Sequence, residues 1–184
     1  MHGIIHSKLN NFVVENFGPE AWDKVMSKAE LQDKFYLLGE PYPDEDAIKI
    51  VTVASELTGL TVNELLEDFG RFIVPSLLTL YDVLINKEWR TEELLLNAEN
   101  TIHSVVRIKN KGATPPELHF ERIQPGLLKF VYTSRRQMHP VAVGIMKAIA
   151  EHFGEQIIIS VTKQSPDMVE MNVNIKARGI YLEL

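Results

Sequence analysis

Apolar residues in the first half of the chain recur every three or four positions, the spacing that places them on one face of a helix. Helices are predicted at residues 4–17, 21–29 and 44–59, the last of them capped by Asp44, and from residue 61 onwards, where Thr61 and Glu64 form a capping box. Pro75 interrupts the last of these helices or begins another. A further long helix is predicted from Thr91, which can cap it, to about Ile108, and it carries His103 on a mostly apolar stripe.

In the second half the apolar and polar residues alternate instead, as is typical of strands exposed on one face. Four strands are predicted, at residues 117–123, 127–134, 156–162 and 168–176. A helix from Val141 to Phe153 lies between the second and third strands, and Lys111–Pro116 breaks the chain before the first. The predicted fold class is therefore α+β, with a helical N-terminal part packed on a C-terminal antiparallel sheet with helices. We expect one domain over residues 1–184, divided into subdomains at 1–60 and 61–184.

Charge and cysteine content exclude several classes of function. The net charge is −6, from 19 basic and 25 acidic residues, and Arg135-Arg136 is the one adjacent basic pair of note. This balance argues against nucleic acid and anionic membrane surfaces as main partners. The chain has no cysteine, which excludes disulfides, thiolate catalysis and Cys-based zinc sites. Because no signal peptide or long apolar run is present either, we expect a soluble, cytoplasmic protein.

An unusual row of polar residues, Tyr132, Ser134 and Arg136, lies at the end of the second predicted strand and just beyond it. If the extended geometry continues past Ser134, all three point to one face and present two hydroxyls and a guanidinium over roughly 13 Å. Such a row suits a ligand with separated anionic oxygens, because charge-assisted bonds from Arg are strong and directional. Taken alone, a strand with one polar side is more often simply solvated, and a lone helical histidine such as His103 more often packs at the edge of a core.

Common enzyme signatures are absent from the sequence. There is no dinucleotide-binding glycine motif, phosphate-binding loop, His-Glu-x-x-His or Gly-x-Ser-x-Gly. His2 and His6 are spaced to share a metal but lack a third ligand nearby. No pair of acidic residues stands out as an acid/base couple, so the sequence does not indicate a catalytic site.

Four pieces of sequence, in order, resemble the H-NOX family, the haem nitric oxide/oxygen-binding domains related to the sensor domain of soluble guanylate cyclase. They are the start Met1-x-Gly3-x-Ile5, His103 on its helix, the loop Gly112–Pro116, and the run Tyr132–Arg136. The resemblance covers the whole chain and is to the stand-alone bacterial, NO-selective branch. It implies that a haem b is buried between the two parts of the fold.

The resemblance also implies roles for particular residues. His103 matches the proximal axial ligand of the iron, and Tyr132, Ser134 and Arg136 match the clamp that binds the haem propionates. At two further positions the family presses on the macrocycle and bends it from planarity. These two positions are occupied here by Ile5 and Pro116.

The distal side of the expected pocket departs from the oxygen-binding branch of the family. Where that branch carries a distal tyrosine, this chain has Val141, and the other distal positions fall at Leu9 and Ile73. Bound O₂ gains from a hydrogen-bond donor, whereas NO and CO gain much less. An apolar distal wall is therefore expected to favour NO over O₂. Some bacterial relatives also carry a Cys-based zinc site, which this chain cannot have.

We therefore expect a haem-based gas sensor that binds NO and CO but not O₂ and has no catalytic activity of its own. NO binding would release His103 from the iron and shift the two parts of the fold against each other. No kinase or cyclase follows Tyr181, so we expect output in trans, through a histidine kinase or a cyclic-dinucleotide enzyme. Two alternatives remain: a peroxidase-like haem enzyme, which would need a distal acid/base, and a haem-free module that binds a lipid or another carboxylate.

Overall fold

The structure is a computed structural model that describes residues 1, 3–109 and 114–177. His2, Tyr181 and the first part of the predicted breaker, Lys111 to Ala113, lie outside the described residues. The helices are α1 (Gly3–Phe17), α2 (Pro19–Lys28), α3 (Asp44–Thr58), α4 (Val62–Leu80), α5 (Thr91–Ala98), α6 (Ser104–Lys109) and α7 (His139–His152). The strands are β1 (Glu117–Gln124), β2 (Leu127–Thr133), β3 (Glu155–Ser165) and β4 (Met168–Ala177).

Helix α4 begins with the predicted capping box and passes through its proline. The Thr61 side chain accepts a hydrogen bond from the Glu64 backbone N–H, and the Glu64 carboxylate accepts one from the Thr61 backbone N–H. Pro75 lies inside the helix and neither ends it nor begins another. The Thr79 hydroxyl donates to the Pro75 carbonyl at 3.0 Å, so the carbonyl of the proline itself has a side-chain partner.

The long helix predicted from Thr91 to Ile108 is not regular, and this part of the prediction is wrong in detail. A π-helical turn from Glu99 to His103 separates α5 from α6. A π turn holds an extra residue and is often found at functional sites. It places Glu99 and His103 at its two ends, with their side chains in contact.

The four strands form one antiparallel sheet in the order β1-β2-β4-β3, which confirms the predicted α+β class. β2 is an inner strand, and its Tyr132 lies between Leu118 of β1 and Val169 of β4. Because β2 pairs on both sides, the backbone of Tyr132 is held in the ladder.

Two clusters of buried apolar side chains form the core. The first is built from α1 to α4 and includes Leu9, Phe69 and Ile73; the second lies between the sheet and α7 and includes Phe130 and Met171. Helix α4 contributes side chains to both clusters. The division into subdomains at residues 1–60 and 61–184 stays a prediction. No helix among the described residues is long and apolar enough to cross a membrane.

Helices α4 and α7 approach closely because two glycines face the crossing. A Cβ atom built on Gly144 would lie 1.9 Å from the Glu67 carbonyl oxygen, and one built on Gly70 would lie 2.2 Å from the Val141 carbonyl oxygen. No side chain fits at either distance. The crossing places Val141, at the start of α7, against the first cluster.

Candidate functional site

His103 ends the π turn, with its side chain 20% exposed. Its Nδ1 lies 3.0 Å from Glu99 Oε2, and the backbone of Pro116 also forms a hydrogen bond with the ring. Burial lowers the pKa of His103 below its ordinary value, against the raising effect of Glu99. Since a lowered pKa favours the neutral imidazole, His103 is in the form that binds metals. With Nδ1 facing a carboxylate, Nε2 is the nitrogen on the other side of the ring.

Glu99 binds three groups from different parts of the chain. Besides His103, it accepts a hydrogen bond from the Leu118 backbone N–H at 3.1 Å and pairs with Arg107 Nη2 at 2.6 Å. The sequence places Glu99 next to His103 on the helix but gives it no role. The i, i+4 spacing of a carboxylate and an imidazole is the signal from which this contact can be predicted.

Tyr132 and Ser134 meet at the end of β2. Tyr132 is 4% exposed, and its hydroxyl forms hydrogen bonds with the Ser134 side chain and the Met138 backbone. Burial raises the pKa of Tyr132, although these hydrogen bonds and Arg136 act in the opposite direction. The phenol therefore stays protonated over the ordinary pH range and remains a donor.

The structure contradicts the extended row through Arg136. β2 ends at Thr133, and residues 135 and 136 form a turn in which the Arg136 backbone N–H donates to Ser134 Oγ at 3.3 Å. The turn continues into Gln137, whose φ of 54° is positive. Tyr132, Ser134 and Arg136 are therefore brought together by a turn around the serine hydroxyl and not by the period of a strand.

Arg136 is held by groups from two other segments. Its Nε lies 2.8 Å from Asp44 Oδ2, and its two terminal nitrogens donate to the backbone carbonyl and the hydroxyl of Thr114. The other oxygen of Asp44 lies 2.6 Å from the amine of Met1. Burial would raise the pKa of the Asp44 carboxyl, but hydrogen bonds from the amine and from Arg136 lower it overall.

Asp44 has a different role from the one expected. The sequence predicts that it caps α3, but Pro43 occupies the cap position and no side-chain cap bond is present there. Its carboxylate pairs with Arg136 instead, so it joins the N-terminal helices to the turn after β2.

The expected distal residues lie in one cluster. Leu9 and Ile73 are 2% and 5% exposed, and Ile5 and Val141 are partly buried against the same cluster. Pro116 is half-buried just before β1. The structure thus brings together the three apolar residues that the sequence assigned to the distal wall, with Ile5 packed on the same cluster.

The other histidines that the structure describes do not form a competing metal site. His6 is fully buried and stacks on Tyr36, with ring centroids 4.2 Å apart. His119 is exposed on β1, and His139 packs edge-on to Tyr132 at 6.3 Å between centroids. Within residues 3–109 and 114–177 there is no group of three His, Cys, Asp or Glu side chains that could hold a metal ion.

These residues fit a haem. An imidazole with one anchored nitrogen suits an axial position, and an apolar wall suits the macrocycle. The Arg136 guanidinium is partly buried, with its side chain 17% exposed, and Asp44 and Thr114 hold it close to the Ser134 and Tyr132 hydroxyls. A cation next to two hydroxyls is a donor set that suits a propionate.

Comparison with known proteins gives a consistent result. Residues 2–161 match the model of a family described as haem-NO-binding. Soluble guanylate cyclase gcy-35 of Caenorhabditis elegans is 22% identical over 180 residues, which are 92% of this chain and 26% of that protein. Soluble guanylate cyclase 89Da of Drosophila melanogaster is 23% identical over 155 residues, 83% of this chain and 23% of that protein. The chain thus spans about a quarter of the length of these relatives.

Solved structures share the fold over the whole chain. A mutant H-NOX protein from K. algicida, in its unliganded Fe(II) state, is 26% identical with a TM-score of 0.89, and the match covers 100% of both chains. An H-NOX protein from S. oneidensis in the Fe(II)NO state is 21% identical with a TM-score of 0.87, and the match covers 96% of this chain and 99% of the other.

Proposed function

The chain belongs to the haem-NO-binding (H-NOX) family, whose domains bind haem and sense gases without catalysis, and from this premise we propose that it is a sensor of NO. A haem b held in this site would supply a ferrous iron that binds NO or CO. Family membership argues against both the peroxidase-like enzyme and the haem-free module.

The residues of the site have distinct tasks in this proposal. His103 would bind the iron through Nε2 while Glu99 holds Nδ1. Arg136, Tyr132 and Ser134 would bind the propionates, and Ile5 and Pro116 would press on the macrocycle. The observation that carries the proposed clamp is the part-buried guanidinium of Arg136, which Asp44 and Thr114 orient beside the Tyr132 and Ser134 hydroxyls.

Selectivity for NO over O₂ rests on the apolar wall. Leu9, Ile73 and Val141 carry no hydrogen-bond donor in their side chains, and all three belong to or pack on one apolar cluster. Bound O₂ therefore finds no donor from these residues, whereas NO needs none.

The proposed signal is the release of His103. His103 and Glu99 are the two ends of the π turn, and Glu99 also binds the backbone of β1. Release of the imidazole would let this turn and α6 move relative to the sheet. We propose that a separate protein, a histidine kinase or a cyclic-dinucleotide enzyme, responds to this movement, and that both act in the cytoplasm.

An absorption spectrum of the reduced, haem-loaded protein tests the proposal. We expect no oxy complex in air, and a spectrum that changes on adding NO. A protein that takes up no haem during expression with excess haem would contradict the proposal, and so would a stable oxy complex in air.

A further inference from the structure

Glu99 is placed between the proposed iron ligand and the sheet. Its Oε2 atom lies 3.0 Å from His103 Nδ1 and also accepts the Leu118 backbone N–H at 3.1 Å. Its Oε1 atom pairs with Arg107 at 2.6 Å. The carboxylate is thus fixed by its own π turn, by α6 and by β1, and it is 26% exposed.

This arrangement restricts His103 in two ways. A carboxylate facing Nδ1 requires the proton on that nitrogen, so the lone pair of the neutral ring is on Nε2. The bond from Leu118 fixes the position of the acceptor, because that N–H belongs to a strand that is paired with β2 along its length. Glu99 therefore sets the tautomer, and it directs the ring together with the Pro116 backbone.

We propose that Glu99 is the positioning residue for His103: it holds Nδ1–H so that Nε2 is directed to the iron, and it strengthens the iron–histidine bond. This inference rests on the proposed function, since it requires that His103 is the axial ligand. Metal-bound histidines commonly donate their second N–H to a carboxylate, which makes the ring a stronger ligand. A stronger iron–histidine bond is harder to break, so Glu99 also raises the threshold for His103 release.

The ion pair with Arg107 provides a matched control. If Glu99 matters only as part of a surface ion pair, then removal of Arg107 has the same effect as removal of Glu99. Arg107 is 38% exposed, and a pair of this kind contributes little to stability. If Glu99 positions His103, substitutions of Glu99 weaken the ligand more than the substitution of Arg107 does.

Resonance Raman spectroscopy of the ferrous holoprotein measures the iron–histidine stretch directly. Glu99→Gln keeps an oxygen that can accept both hydrogen bonds but removes the charge, and Glu99→Ala removes the bonds as well. We expect the stretch to fall to lower frequency in Glu99→Gln, to fall further in Glu99→Ala, and to change least in Arg107→Gln, which keeps both hydrogen bonds of Glu99 Oε2. We also expect haem loss to be about tenfold faster or more in Glu99→Ala.

The possible results separate the two proposals. An unchanged stretch in Glu99→Gln and Glu99→Ala, or an equal fall in Arg107→Gln, would overturn the role of Glu99 and leave His103 as the ligand. If His103→Gly keeps a histidine-ligated spectrum, the axial assignment fails and the role of Glu99 fails with it. Glu99→Gln keeps the shape of the side chain, so it gives a result even if Glu99→Ala does not fold.

Discussion

The Asp44 carboxylate lies 2.8 Å from the Nε atom of Arg136, and this contact joins the first turn of α3 to the turn after β2. The guanidinium is also held by Thr114, so it is oriented from two sides before it meets any ligand. Preorganisation of this kind reduces the entropy lost on binding. Of the three clamp residues, Arg136 is therefore the one from which we expect the largest contribution to haem retention.

Arg136→Ala should weaken haem retention because it removes a cation facing two carboxylates. A charge-assisted hydrogen bond contributes about 1.5–3 kcal/mol, whereas Tyr132→Phe and Ser134→Ala should each cost about 1 kcal/mol. Transfer of haem to apomyoglobin measures the order of these effects. Arg135→Ala is the matched control, since Arg135 is exposed and the charge change is the same. Equal transfer rates for Arg136→Ala and Arg135→Ala would refute the clamp.

Asp44→Asn should lower stability near neutral pH by about 1 kcal/mol, the order of a partly exposed ion pair. The pKa of Asp44 is lowered in the folded state, so its contribution is complete above the unfolded pKa of about 4 and is lost as the pH falls through the folded pKa. Urea unfolding at pH 7 should therefore give a lower free energy of unfolding for Asp44→Asn than for wild type. Below pH 4 this difference should be smaller. Asp23→Asn, at an exposed site on α2, should show no such difference at either pH.

His103→Gly should give a folded protein that loses haem unless imidazole is supplied. The glycine leaves space for a free imidazole at the axial position. The absorption spectrum of the ferrous protein, with and without imidazole, checks this expectation, with His119→Ala as the control because His119 is exposed on β1. Retention of a histidine-ligated spectrum without imidazole would assign the iron to another histidine.

Val141→Tyr should raise O₂ affinity. A hydroxyl in the distal wall could donate to bound O₂ and contribute about 1 kcal/mol or somewhat more, roughly a tenfold gain. Val141→Phe is the control, because it adds the ring without the donor. NO affinity should change little in either variant. O₂ titration of the ferrous protein is the measurement, and equal O₂ affinities of the two variants would mean that residue 141 does not face the bound gas.

Gly144→Ala should destabilise the protein. The added methyl group would lie 1.9 Å from the Glu67 carbonyl oxygen, so α4 and α7 must separate. Overpacking of this kind costs about 1–3 kcal/mol. The midpoint of thermal unfolding should fall, whereas in Gly39→Ala, where the methyl meets nothing within 4 Å, it should stay close to wild type. Equal midpoints for the two variants would show that the helices can adjust at no cost.

The local patterns of the sequence predict most helices and strands. The helix predicted at residues 44–59 is observed at Asp44–Thr58, and the strand predicted at 168–176 is observed at Met168–Ala177. Periodicity of apolar residues and the caps that end helices are properties of neighbouring residues, so they are visible in the sequence.

The errors arise where a distant contact determines the local structure. The apolar stripe around His103 has the same spacing in the sequence whether the segment forms an α-helix or a π turn. The local sequence favours a regular helix at Glu99, but the Glu99 side chain also binds the backbone of Leu118 on β1, which is distant in sequence. The turn at Arg136 lacks glycine and proline, and the partner of Asp44 is far away in sequence. The haem-binding roles of these residues are implied by the family resemblance alone, because a row of polar residues and a lone histidine do not identify a ligand.

The inner position of β2 in the sheet has a consequence for biosynthesis. β2 can pair with β1 as soon as both are made, but its other edge stays open until β4 is synthesised, after α7 and β3. During that interval an apolar strand that carries Phe130 and Tyr132 has unpaired N–H and C=O groups, a hazard for aggregation. We therefore expect β2 to need protection from aggregation until β4 has been made.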